Sequence, residues 1–346
     1  MSKKSVFALF AILLVAAIVI YRVTAMGDQK GVMRIGLAPY QDLAMIVNAP
    51  TLKLEEKYGT KIELVTMGWE EILPAVATAG RGLDIGFASY IEYLTKFENI
   101  NKAGADPIIF VYPLYVYKGG GFVSFRKDID PLTKQAIVSD AAKAFLARKI
   151  GAQKGSLYEM MLMRLAEANG VDLAAVNMID TPLDQGFLAA EAGSLDVSSA
   201  GLTQLSETQR RGGKIVLSMD DIGIADITGF IVKKSTFDNR RKDVEAVVRM
   251  WFDSVAFVYA DIDNNSRASL AYLDKAASTR YTLDEYKKAL SAEYLPGSLS
   301  DAQASFLVPG GRFHADTIGR AANQMLLQRK IVRQESPLPD FNWLGK

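Results

Sequence analysis

Apolar residues in the first two thirds of this chain come in two rhythms. Short alternating or continuous apolar runs predict strands at residues 32–37, 61–67, 83–88, 107–117 and 122–126. Between them, apolar residues returning every three to four positions predict helices at 43–58, 70–79 and 91–99. Pro50 interrupts the first of these helices and Gly59 closes it. The order is βαβαβ, which predicts a parallel sheet with helices on both faces. In such sheets ligands sit beyond the carboxyl ends of the strands.

The pattern then restarts. After Asp140 the chain predicts a helix at 141–148, a strand at 149–152 and a turn at Lys154-Gly155-Ser156. A helix follows that stops at Asn169-Gly170. Ser156 is placed to cap it, with Glu159 three residues on completing a capping box. Its free N–H groups suit a small anion or a polar oxygen, although the same residues also suffice for a plain cap. A strand at 176–179, a helix at 183–192 and strands at 195–200 and 214–218 come next. Residues 151–203 thus repeat the plan of 36–90, and Gly82-Leu83-Asp84-Ile85 compares with Ser194-Leu195-Asp196-Val197 within longer stretches that begin at Ala79 and Glu191.

Beyond Asp221 the periodicity predicts a strand at 229–233 and a long helix at 241–260. Val244, Val247, Val248, Trp251, Val255 and Val258 give that helix an apolar stripe suited to a core. Helices are expected at 266–277, 283–293 and 318–329, and residues 330–346 as a tail on the surface.

Composition narrows the chemistry. The 346 residues are 49% hydrophobic with net charge +1, which gives no general field for nucleic acid. There is no cysteine and one histidine, His314, which excludes disulfides, thiolate sites and multi-histidine metal centres. Lys3 and Lys4 precede an apolar run at 6–21, followed by Arg22. The run is longer than a signal core of about 7–15 residues and shorter than a span of about 20. Residues 1–25 are therefore expected to be either a signal peptide cleaved before Met26 or an N-terminal membrane anchor. Both export the remainder, because the lysines hold the N-terminus inside. Losing Lys3, Lys4 and Arg22 turns the net charge from +1 to −2.

Candidate ligand contacts follow the predicted strands: Tyr40 and Gln41, Trp69, Ser89 and Tyr90, and Tyr115 or Tyr117. Any single aromatic here serves packing as readily as binding. Gly119-Gly120-Gly121 lacks the Lys-Ser/Thr of a phosphate loop and reads as a turn. Residues 261–272 begin like a calcium loop but carry Ser266 and Tyr272 where glycine and an acid are needed.

The ordered set of Arg34-Ile35-Gly36, Ala79-Gly80-Arg81-Gly82-Leu83-Asp84-Ile85-Gly86, Lys149-Ile150-Gly151 leading to Gly155-Ser156, Leu165 through Asn169-Gly170-Val171-Asp172, Gly193-Ser194-Leu195-Asp196 and Thr228-Gly229-Phe230-Ile231-Val232 resembles periplasmic substrate-binding proteins of ABC uptake systems, of the nitrate, sulfonate and taurine type. The likeness covers residues 32–260. It implies two doubly wound α/β lobes joined by crossing strands near 122–126 and 228–233, with a ligand clamped between them. Lobe one would comprise 31–123 plus 224–329, and lobe two 124–223. The resemblance places Tyr40, Gln41, Ser89, Tyr90, Gly155, Ser156, Thr203, Asp226 and Thr228 at the cleft, with Trp69 as a further flat wall.

It further implies a small polar or anionic organic ligand of the sulfonate or taurine class, an inner-membrane permease as partner, a monomer and no cofactor. The near-zero net charge leads to no expected nucleic-acid partner, and with His314 outside the repeated lobes no catalysis is expected. Two helix N-termini and Lys154 favour an anion, whereas Asp226 favours a cation or a neutral hydrogen-bonding molecule. No arginine falls at a candidate position to clamp a carboxylate. Same-fold enzymes that make the thiamin pyrimidine, and a membrane-anchored ligand sensor, are the alternatives.

Overall fold

The computed structural model describes residues 31–78, 82–102, 106–277, 280–328 and 330–344. The expected leader at 1–25 and the start of the repeated motif at 79–81 lie outside them. Among the described residues, ten strands form two five-stranded sheets. In chain order they are β1 (Val32–Leu37), β2 (Lys61–Thr66), β3 (Ile85–Ser89), β4 (Ile108–Tyr117) and β5 (Gly121–Ser124). Then come β6 (Ile150–Ala152), β7 (Met178–Asp180), β8 (Val197–Ala200), β9 (Lys214–Ser218) and β10 (Asp226–Lys233). The sheet orders are β2-β1-β3-β10-β4 and β7-β6-β8-β5-β9. The fold is α/β, with one lobe built on each sheet.

The sheets are mixed rather than parallel throughout. β1 is parallel to β2 and β3, and β6 to β7 and β8, but β10 and β5 run antiparallel to both neighbours. The antiparallel strand in each sheet is the one that arrives from the other lobe. Only residues 118–120 separate β4 from β5, and a link so short cannot make the crossover of a dozen residues that parallel neighbours in one sheet need. The chain therefore leaves the first sheet at 118–120 and returns at 219–225. Both passages come a few residues before the expected 122–126 and 228–233, of which 122–124 and 228–233 are paired inside a sheet.

The repeated motifs do the same work in each lobe. Arg34 N–H donates to the Asp84 carboxylate at 2.8 Å, and Lys149 N–H donates to that of Asp196 at 2.9 Å. A Cβ on Gly36 would lie 2.3 Å from Leu83 Cδ1, and one on Gly151 would lie 2.5 Å from Leu195 Cδ1. Glycine in the first strand of each unit thus makes room for the leucine that leads into its third strand.

The helices that matter for the site are α1 (Trp69–Ala77), α2 (Tyr90–Ile100), α3 (Leu157–Ala168), α4 (Leu202–Arg210), α5 (Arg241–Ala260) and α6 (Leu283–Ala292). All six stripe residues of α5 are fully buried. Trp251 on that stripe packs its ring 5.3 Å from Phe87 and 5.9 Å from Tyr115, which ties α5 to β3 and β4.

Three further expectations change. The helix at 43–58 is instead a 3-10 turn, Ala44–Asn48, and a short helix, Leu54–Tyr58, with Lys53 at φ 54° between them. Pro50 lacks the N–H that would carry one helix through. The helices α4 and Leu299–Phe306 are additional. The C-terminal segment is docked rather than lying on the surface: Phe341, Trp343 and Leu344 are buried in the core of lobe one. Trp343 Nε1–H donates to the Val111 carbonyl at 2.6 Å, and Phe341 packs against Tyr90 and Phe110. Each such side chain contributes on the order of 1.5–3 kcal/mol on burial.

Candidate ligand-binding site

Between the lobes lies a cavity of ≈ 100 Å³. Lobe one lines it with Tyr40, Asp42, Trp69, Ser89, Asp226 and Thr228, and lobe two with Gln153, Ser156, Leu157, Tyr158, Leu202 and Gln204. The lobe-one residues come from the loop after β1, the starts of α1 and α2, and the start of β10. Its lining follows the rule that ligands collect beyond strand ends.

Ser89 ends β3 and begins α2. Its hydroxyl accepts the Glu92 N–H at 3.0 Å, capping the helix, and donates to the Asp226 carboxylate. The other Asp226 oxygen accepts the Ile91 N–H at 3.3 Å. Thr228 pairs with Ser89 across the two strands, which sets Asp226 beside the helix start. Burial pushes the Asp226 carboxyl up to about 7, against the lowering effect of the Ser89 and backbone hydrogen bonds.

Asp42, which no residue pattern marks, is 3% exposed and faces the cavity. Its Oδ2 accepts the Tyr115 hydroxyl at 2.6 Å, and its Oδ1 has no hydrogen-bond partner. Burial pushes this carboxyl up to about 6; the Tyr115 hydrogen bond and the neighbouring backbone N–H groups, which stop short of bonding Oδ1, hold it back. Glu70 and Glu92, on α1 and α2, also line the cavity. Burial raises Glu70, while Glu92 pairs with Lys96 and accepts Trp69 Nε1–H at 3.1 Å. Tyr40 and Trp69 stand with ring centroids 6.2 Å apart and form the apolar wall.

On the lobe-two side Ser156 lies at the start of α3 and lines the cavity, but its hydroxyl does not cap the helix. It donates to the Gln153 carbonyl at 2.6 Å, and Glu159 accepts the Gly155 N–H at 2.6 Å instead of that of Ser156. The expected box is displaced by one residue because Gly155 turns at φ +69°. Lys154 is exposed and does not line the cavity.

Four expected contacts are not among the lining residues: Gln41, Tyr90, Gly155 and Thr203. Tyr90 is fully buried against Phe110, on the side of α2 that faces the core, because its ring fills the lobe rather than the cleft. The other three join the lobes. The Thr203 hydroxyl donates to Gln41 Oε1 at 3.3 Å, and Gly155 sits so close to Thr95 that a Cβ would lie 2.7 Å from its methyl. Further ties are Tyr117 to Tyr158 at 3.4 Å between hydroxyls and Arg210 to Glu285 at 2.8 Å. The lobes are closed on each other.

No residue pattern had singled out Tyr158, Glu70, Glu92 or Gln204. Each lies on a helix face where the spacing signals only a helix. For Glu92 the signal that could have found it is its place three residues after Ser89, a capping-box position.

A model of the NMT1-like family matches residues 27–273, well over half of the chain. The chain belongs to the NMT1-like family. Among curated proteins, it is 22% identical over 254 residues to a Brachyspira hyodysenteriae protein named as an ABC transporter periplasmic binding protein, with 71% of each chain covered. Among solved structures, the NMT1-like chain is similar to the periplasmic aliphatic sulphonate binding protein SsuA from Escherichia coli, with TM-score 0.62, 15% identity, and 89% and 95% of the two chains covered. It is also similar to the periplasmic nitrate-binding protein NrtA from Synechocystis PCC 6803, with TM-score 0.54, 15% identity, and 74% and 69% covered. At these identities the solved structures establish a shared two-lobed α/β fold.

Proposed function

We propose that this NMT1-like chain is the periplasmic solute-binding component of an ABC uptake transporter. It clamps a small organic molecule between its lobes and delivers it to a permease in the inner membrane. The observation that carries this reading is the cavity shared by both lobes, closed by the Gln41–Thr203 and Tyr117–Tyr158 contacts. A site built half from each lobe forms fully only when the lobes meet, so binding and closure are linked. The curated relative named as a periplasmic binding protein supports the same role. Residues 1–25 would carry the chain across the membrane, as a cleaved signal or a retained anchor.

The reading does not call for catalysis. His314, the one histidine, hydrogen-bonds Thr317 at 2.9 Å and does not line the cavity. The cavity carries no general base beyond carboxylates and tyrosines.

Trp69 in the wall supplies the test. The exported chain is titrated with fractions of a small-solute extract while tryptophan fluorescence and the radius of gyration are followed. The expected result is a saturable fluorescence change, a more compact particle, and a solute recovered chemically unchanged. Conversion of the solute to product would overturn the reading.

A further inference from the structure

We infer that the cleft takes a small organic cation, a protonated amine or amidinium on a flat or apolar body. This rests on the solute-clamping reading and names its ligand class.

The cavity is lined by four carboxylates, Asp42, Glu70, Glu92 and Asp226, and by no lysine or arginine. Glu92 is neutralised by Lys96. Among the described residues, no ion pair is formed by Asp42, Glu70 or Asp226. A buried carboxylate without a counter-charge is costly and is normally paired or protonated. The independent sign that something is to be bound is Asp42 Oδ1, a buried oxygen on the cavity wall with no hydrogen-bond donor. A ligand N–H would satisfy it, and a positive charge would offset the surrounding carboxylates.

An anion meets the opposite conditions. It would enter a low-dielectric space facing like charges, where repulsion is strongest. The anion-favouring features read from the sequence do not reach the cavity as expected. Lys154 is exposed outside it. The Ser89 hydroxyl and the Ile91 N–H are already committed to Asp226.

The remaining wall suits the body of such a ligand. Tyr40 and Trp69 offer ring faces that attract a cation within about 6 Å of the centroid. Leu157, Leu183 and Leu202 supply apolar surface. A volume of ≈ 100 Å³, below the about 150 Å³ that admits benzene, limits the occupant to a short chain or a planar group smaller than benzene.

The test uses probes that share a frame and differ in charge: acetamidinium, acetamide and acetate, with butylammonium and butanesulfonate as an aliphatic pair. Each is titrated calorimetrically into the exported chain at pH 8. At least one cation is expected to bind tenfold or more tightly than its neutral or anionic counterpart. In Asp42→Asn, and separately in Asp226→Asn, that affinity should fall about tenfold while thermal melting shows a folded protein. Tighter binding of acetate or butanesulfonate overturns the inference and leaves clamping intact. So does a cation affinity unchanged in both variants. Silence of both cations also overturns it; if a total small-solute extract is silent as well, the clamping reading falls with it.

Discussion

Glu293 accepts the backbone N–H of Gly119 at 2.9 Å with one carboxylate oxygen and that of Lys118 at 2.6 Å with the other. The acceptor follows α6, and the donors are the residues by which the chain first leaves lobe one. The crossing is thus gripped from lobe one. A Cβ on Gly119 would lie 2.3 Å from both Glu293 Oε1 and Leu202 Cδ2, so this glycine serves close approach rather than flexibility. Gly119→Ala is expected to destabilise the closed form by about 1–3 kcal/mol, as overpacking does. Urea unfolding and the radius of gyration check this, and adding Leu202→Ala should recover part of the loss.

Stability of the ligand-free protein should fall as pH rises. Burial holds Asp42 at about 6 and Asp226 at about 7, and raises Glu293 well above its usual range through burial and the nearby Asp42. A carboxyl whose folded pKa lies above its unfolded value binds more protons folded than unfolded between the two. Each such group therefore costs about 1.4 kcal/mol of stability per pH unit over that window. Glu92 and Ser89 face Asp226, and Tyr115 faces Asp42, and none supplies positive charge. The melting temperature should decline from pH 5 to pH 8 and level off above the folded values. Asp226→Asn should flatten the decline; a melting temperature that climbs over this range would contradict the assignment.

The two serines at helix starts should behave differently. Ser89→Ala removes the cap on α2 and leaves the Asp226 oxygen it served without a donor. A stability loss of about 1–2 kcal/mol is expected, with a clear loss of ligand affinity. Ser156→Ala removes only a hydrogen bond to the Gln153 carbonyl, worth about 0.5–1.5 kcal/mol. Parallel chemical denaturation and calorimetry separate them, and equal affinity losses would count against the geometry described.

The C-terminal segment should be a structural part of lobe one. Trp343→Ala deletes a buried ring and leaves the Val111 carbonyl without its donor, so a loss of about 3–5 kcal/mol is expected. Equilibrium unfolding in urea measures it. A loss below about 1 kcal/mol would place the segment outside the core.

The alternation of strand and helix made the two α/β units readable, and the repeated Leu-Asp pairs marked equivalent points in each. The stripe on α5 was legible because six apolar residues share one face. The docked C-terminal segment was not, since Phe341 and Trp343 bury themselves without periodicity. Antiparallel β5 and β10 also escaped local reading: a strand's direction depends on which sheet it enters, a long-range property. At the site, residues just after strands were visible, and Tyr40, Trp69 and Ser89 line the cavity, as does Asp226, which the family resemblance alone pointed to. Tyr90, one position beyond Ser89, turns to the core because adjacent residues at a helix start point to different sides. The unsatisfied oxygen of Asp42 is a three-dimensional fact that no spacing announces.

The placement of β10 has a consequence for how the molecule is made. This strand lies between β3 and β4, yet more than a hundred residues of chain separate it from β4, including all of lobe two's sheet. As the polypeptide emerges, β3 and β4 have no partner between them until residues 226–233 arrive. Lobe two has every strand of its own sheet by residue 218 and can fold first, while lobe one waits with two open strand edges. The interval before β10 inserts is the period when the growing chain is most exposed to aggregation.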